Sequence, residues 1–122
     1  MGTYLNKTPG SEGNRKTWTF STWIKRSSIS TGGIFTAGGS GQDQTNITFS
    51  SSGGNDRIDW QIYSQSSGST VGRLITTQQF RDPSAWYHLV CRYDSTQGTA
   101  GDRMRMYLNG SEITAFSTDT NP

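Results

Sequence analysis

Apolar and polar residues alternate at period two along most of this chain, in short runs separated by clusters of Gly, Ser, Asn and Asp. Successive side chains of a strand point to opposite faces, so such runs fit strands with one buried face. No stretch carries the longer period of an amphipathic helix. In KTWTFSTWIK, Trp18, Phe20, Thr22 and Ile24 share one face, and Thr17, Thr19, Ser21 and Trp23 share the other. The cleanest alternation is DRIDWQIYS, where Ile58, Trp60 and Ile62 oppose Asp59, Gln61 and Tyr63. Shorter strands are predicted at Ile34 and Phe35, at Ile47 and Phe49, and at Leu74 and Ile75. WYHLVCRYD, which follows Asp82-Pro83, is apolar on both faces and reads as a central strand covered on both sides. Near the C-terminus, Asn109-Gly110 separates two alternating runs. Both residues tolerate positive φ, so a two-residue hairpin is predicted between strands at 103–108 and 111–116.

Seven or eight short strands with no helix imply an all-β fold, an antiparallel sandwich or jelly roll, and no boundary divides the chain, so residues 1–122 read as one domain. The hydrophobic share is only 30%, but four Trp, five Tyr and five Phe bury large areas per residue. Shared parity predicts one core built from Trp18, Phe20, Ile58, Trp60, Ile62, Leu89, Met104, Met106 and Leu108. Seventeen Ser and seventeen Thr then belong to loops and exposed strand faces.

Charge excludes some functions. Eleven basic and nine acidic residues lie scattered, for a net charge of +2, and no basic block tracks a phosphate backbone, so nucleic acid is not an expected partner. No apolar run approaches a membrane span, and MGTYLNKTPG lacks the apolar stretch of a signal peptide. Cys91 is the single cysteine and sits in an apolar run, so a reduced, buried thiol is expected in place of a disulfide or a metal cluster.

Three segments carry a resemblance together: NRKTWTFSTWIKRS, DPSAWYHLVCRYDSTQ and DRMRMYLNGSEITAF. Trp86, His88 and Val90 form a W-x-H-x-V pattern followed by Asp94, and Tyr107, Asn109 and Gly110 form a Tyr-x-Asn-Gly hairpin. In this order they resemble the laminin-G-like branch of the concanavalin A-like lectin/glucanase fold, in the form common among structural proteins of marine bacteriophages. The resemblance spans nearly the whole chain. It also implies further strands after the hairpin, including one that closes the fold beside the N-terminal strand, whereas this sequence stops at Asn121-Pro122. The jelly roll is therefore expected to be incomplete at that end, with a neighbouring chain against a sheet edge or a rearranged closure.

Catalysis is not expected. Glucanases that this chain resembles use a Glu-x-Asp-x-x-Glu strand, because retaining hydrolysis needs two carboxylates ~5 Å apart. Here the glutamates are Glu12 and Glu112, isolated at opposite ends. The single histidine, His88, lies in an apolar strand and reads as a packed side chain bonded to a neighbour. Laminin-G-like domains include calcium sites, and Asp94, Asp102 and Asp119 are loop carboxylates, but no pair has ligand spacing, so no metal and no cofactor are assigned. Arg92 and Arg105 are expected to pair with acidic neighbours across strands.

The candidate ligand-binding residues are Trp23, Asp59, Gln61 and Tyr63. Trp23 stands among hydroxyls, where an indole is a stacking platform for a sugar, although loop cover or a subunit contact explains it equally. Tyr63 shares a face with Asp59 and Gln61, a ring beside hydrogen-bonding groups as in a glycan site, with an ordinary exposed face as the alternative. The expected function is a non-catalytic structural module of a bacteriophage particle, located in the virion and contacting other virion proteins or identical copies through its sheet edges. The alternative is a lectin-like module binding host glycans, and a glycoside hydrolase comes last.

Overall fold

In a computed structural model of the chain, which describes residues 2, 6–11, 13–50, 54 and 56–122, the alternating runs form two antiparallel sheets. The strands are β1 (Thr17–Lys25), β2 (Gly32–Ala37), β3 (Gln44–Ser50), β4 (Arg57–Ser64), β5 (Ser69–Thr76), β6 (Trp86–Asp94), β7 (Met104–Leu108), β8 (Ser111–Glu112) and β9 (Phe116–Thr120). One sheet runs β1-β6-β7-β8 and the other β2-β3-β4-β5-β9. The two make a β-sandwich of the jelly-roll type.

Parity decides which side chains enter the sandwich. Leu89 and Cys91 of β6 and Met104, Met106 and Leu108 of β7 pack with Ile47, Phe49, Ile58, Trp60 and Leu74 of the second sheet. Trp18, Phe20, Ile24 and Ile62 close the margins of this cluster. Every predicted core residue belongs to it or packs against it. Each such side chain contributes about 1.5–3 kcal/mol on burial, and aromatic pairs hold the layers in register. Phe20 of β1 stacks on Phe35 of β2 with centroids 4.6 Å apart.

Sequence parity misplaced the surroundings of β6. This strand is central in its sheet, with β1 and β7 on either side, but only one face is covered. Leu89 and Cys91 are buried on that face, while Trp86 on the opposite face is 59% exposed. A two-layer sandwich leaves each sheet an outer surface, and Trp86, His88 and Val90 occupy it despite being apolar or aromatic.

The hairpin forms where it is predicted. Asn109 and Gly110 both take positive φ, 49° and 83°, and β7 and β8 are antiparallel neighbours. The second arm is shorter than expected, however. β8 ends at Glu112, and the chain then leaves this sheet and crosses to the other, where β9 pairs with β5. Beside β1, where the resemblance implies a closing strand, none lies among the described residues, so β1 pairs with β6 alone.

Two further core contributors lie outside any alternating run. Phe80, in the loop before β6, is fully buried and meets Phe49 and Tyr87 edge-on. Arg26, just past β1, is also buried. Its guanidinium lies over the Phe49 ring at 4.0 Å and donates to the carbonyl oxygens of Phe80 and Ser30 at 2.9 and 2.7 Å. A desolvated cation is tolerated there because an aromatic face and two carbonyls replace water.

Candidate functional site

The outer face of the five-stranded sheet carries three of the four candidate residues, and it treats them differently. Asp59 of β4 is 5% exposed and forms a two-pronged ion pair with Arg73 of β5. Arg73 Nε donates to one carboxylate oxygen at 3.1 Å and Nη2 to the other at 2.6 Å. That corrects the expectation for Asp59: its oxygens serve the sheet and are not open to a ligand. A cross-strand arginine two residues offset in sequence parity cannot be seen until the β4–β5 register is known.

Gln61 and Tyr63, by contrast, come together in a depression of about 260 Å³ with Ser40, Gly41, Gln44, Asn46 and Gln65. Register places them there, because Gln44 lies opposite Tyr63 and Asn46 opposite Gln61 across β3 and β4. The β2–β3 loop forms one wall. It depends on Gly38, whose φ is 100° and where a Cβ would lie 2.2 Å from the Asp43 carbonyl oxygen. The β4–β5 turn forms the other wall and is tied to the first by Gln65, whose N–H donates to Asp43 Oδ1 at 2.8 Å. Gln44 donates its amide to the Gly39 carbonyl at 2.7 Å, and Gln61 donates to Thr70 Oγ1 at 2.6 Å. These bonds fix two amides, and among the described residues no donor engages the oxygen of either one. Among the described residues, no protein hydrogen bond engages the Asn46 amide or the Tyr63 hydroxyl. The depression thus presents an aromatic ring and several neutral hydrogen-bonding groups, with no charge at its centre.

Trp23 does not join them. It stands on the outer face of the four-stranded sheet, 64% exposed, and stacks on His88 of β6 with ring centroids 4.9 Å apart. His88 is bonded to a neighbouring strand as expected, its Nε2 lying 3.0 Å from Ser21 Oγ, but it sits on the outer surface and not in the core. Its backbone is held too. The His88 N–H donates to Asn109 Oδ1, and the Asn109 N–H donates back to the His88 carbonyl, both at 2.9 Å. Trp86 is a surface residue that the alternation did not single out.

The carboxylates are occupied by structural work. Glu112 and Asp102 both pair with Arg105, Asp56 pairs with Arg81, and Asp119 accepts from Asn121. Asp94 accepts from the Thr96 hydroxyl and N–H and from Gln97, which hold its carboxyl well below the usual range, at about 2. Glu12 lies outside the described residues. Asp94, Asp102 and Asp119 are thus engaged by different partners, and among the described residues no three His, Cys, Asp or Glu side chains form a group that could hold a metal ion. Arg92 reaches Asp94 at 3.5 Å on its own strand, so of the two strand arginines only Arg105 pairs across strands.

A laminin-G-type family model, described as the concanavalin A-like lectin/glucanases superfamily, matches residues 2–122. No curated protein and no solved structure matches the chain.

Proposed function

This chain belongs to the concanavalin A-like lectin/glucanase superfamily, and from that premise we propose that it is a lectin-like, non-catalytic module that binds neutral glycans in the depression beside Tyr63. One observation carries the reading. Among the described residues nothing bonds to the Tyr63 hydroxyl or the Asn46 amide, while Gln44 and Gln61 are tethered on either side of them. A sugar has an apolar ring face and a rim of hydroxyls, which suits one aromatic ring beside several fixed amides. The non-catalytic part of the reading is supported by the described carboxylates, each of which accepts a hydrogen bond or pairs with arginine.

Binding to an array of neutral oligosaccharides tests this. Tyr63→Ala should weaken any binding by roughly tenfold, the equivalent of one lost contact of about 1.4 kcal/mol, and Asn46→Ala should weaken it similarly. A blank array at high protein concentration, or unchanged affinity in both variants, overturns it.

The setting we infer for the module is a larger assembly, of the virion type that the bacteriophage resemblance implies, with virion proteins or identical copies docked along β1. The observation favouring it is the outer edge of β1, which has no strand partner among the described residues. Mass spectrometry of purified particles tests the virion setting, and absence of the chain from them removes it.

A further inference from the structure

The two indoles that the fold leaves exposed stand on the same outer face, opposite the depression. Trp23 is 64% and Trp86 59% exposed, and they occupy diagonal positions on β1 and β6, because Trp23 pairs with His88 and Lys25 with Trp86. Diagonal neighbours on an antiparallel pair are ~7–8 Å apart, within reach of one ligand touching both rings. Both rings are supported from the protein side. His88 backs Trp23 and is itself held by Ser21 and Asn109. Trp86 follows a turn that Asp82 locks by accepting from the Ser84 N–H at 2.9 Å and hydroxyl at 2.5 Å, and Lys25 Nζ lies 5.8 Å from its ring centroid. The Trp23 ring, backed by His88, loses little freedom when a ligand stacks on it.

The charge beside the rings selects the ligand. Among the described residues, no carboxylate lies within 4 Å of the Lys25 ammonium. Asp82 is near enough to feel its charge, but that carboxylate is already engaged by Ser84. An exposed cation without a direct ion pair among the described residues, next to two indoles, complements a sugar ring that carries an anionic substituent.

We propose that Trp23, Trp86 and Lys25 form a second glycan subsite on the opposite sheet from Tyr63, specific for acidic sugars. The indoles stack on the ring faces and Lys25 takes the carboxylate or sulfate. This rests on the reading of the chain as a glycan-binding module, but on different residues and a different ligand class.

The test is quenching of tryptophan fluorescence by an oligogalacturonate, a sulfated galactan oligosaccharide and a neutral galactan oligosaccharide. The proposal expects saturable binding of an acidic oligosaccharide, at least tenfold tighter than the neutral one, and weakened by added salt. The two acidic probes distinguish carboxylate from sulfate as the anion recognised. Trp23→Ala should abolish the binding, Trp23→Phe should retain part of it, and Lys25→Gln should remove the preference for acid together with the salt dependence. Tyr63→Ala should leave it unchanged, so failure of the first site and failure of this one are separately visible. Equal affinity for neutral and acidic probes, no binding to either acidic probe, or acidic binding that survives Trp23→Ala in a variant with native circular dichroism overturns the proposal.

Discussion

The indole of Trp18 on β1 meets that of Trp60 on β4 edge to face, with centroids 5.6 Å apart and planes at 62°, so the two sheets touch through a pair of tryptophans. Trp60 is fully buried, and its Nε1–H donates to Thr45 Oγ1 at 3.1 Å, so the indole's one donor is satisfied. Trp60→Ala removes the largest buried side chain, its aromatic contact and its hydrogen bond together. The expected loss is about 3–5 kcal/mol, most of the stability of a typical small domain. Urea denaturation followed by circular dichroism checks it, and a loss under about 1 kcal/mol would show that Trp60 is not central to the core.

Gly110 tests backbone conformation without packing. Its φ is 83°, and a Cβ built there meets nothing within 4 Å. The Cβ of Gly110→Val therefore meets open space, and the cost expected is that of forcing a β-branched residue into the left-handed region, about 1–3 kcal/mol. A thermal melt of the variant measures it. An unchanged midpoint would mean that the turn adopts another form.

Much of the fold was legible in the sequence because parity is a property of single strands. The inner faces of β1, β4 and β7 could be read residue by residue, as could the Asn109-Gly110 turn, whereas β6, apolar on both sides, did not show which face turned outward. What stayed hidden depends on neighbours. Phe80 and Arg26 enter the core from loops, where no period marks them. Asp59 looked like Gln61 and Tyr63 along β4, and only the register with β5 revealed Arg73 as its partner. The short polar β9, FSTDT, has too few apolar residues to alternate. Of the candidate site, Gln61 and Tyr63 could be named from β4 alone and the structure brings them to one depression, but Gln44 and Asn46 come from β3 and needed the β3–β4 register to be found.

Asp94 predicts the acid limb of stability. Its carboxyl is held at about 2 by bonds from Thr96 and Gln97, below the ~3.9 of an unfolded chain. A depressed folded value stabilises above the unfolded one and is lost as pH falls through the folded one. Its contribution should therefore be full at neutral pH and fade between about pH 4 and 2. Urea midpoints measured across that window should fall less steeply in Asp94→Asn than in the parent chain. Parallel slopes would show that Asp94 does not contribute.

Cys91 is fully buried, and burial alone pushes its thiol far above the ordinary range. The thiolate is the reactive form, so the native chain should resist alkylation by iodoacetamide at pH 8 and react once unfolded. Labelling followed by mass spectrometry reads this directly. Rapid modification under native conditions would mean that the β6–β7 core opens readily.

The outer edge of β1 predicts association. This strand is nine residues long, pairs continuously with β6 without a bulge, and has no strand on its other side among the described residues. Natural edges are blocked by prolines, bulges or interior charges. Here Pro9, Pro83 and Pro122 all lie outside β1, and its only charge is Lys25 at one end. Unpaired backbone groups along such a length invite another strand, and in a solution of the isolated chain the available strand is that of an identical copy. Light scattering on a chromatographed sample should therefore show a mass that rises with concentration. Thr19 is exposed on the outer face, so Thr19→Lys should leave the core intact while adding a charge to the middle of the edge, and it should shift the mass toward the monomer. A parent chain that stays monomeric at every concentration would show that this edge is closed to partners.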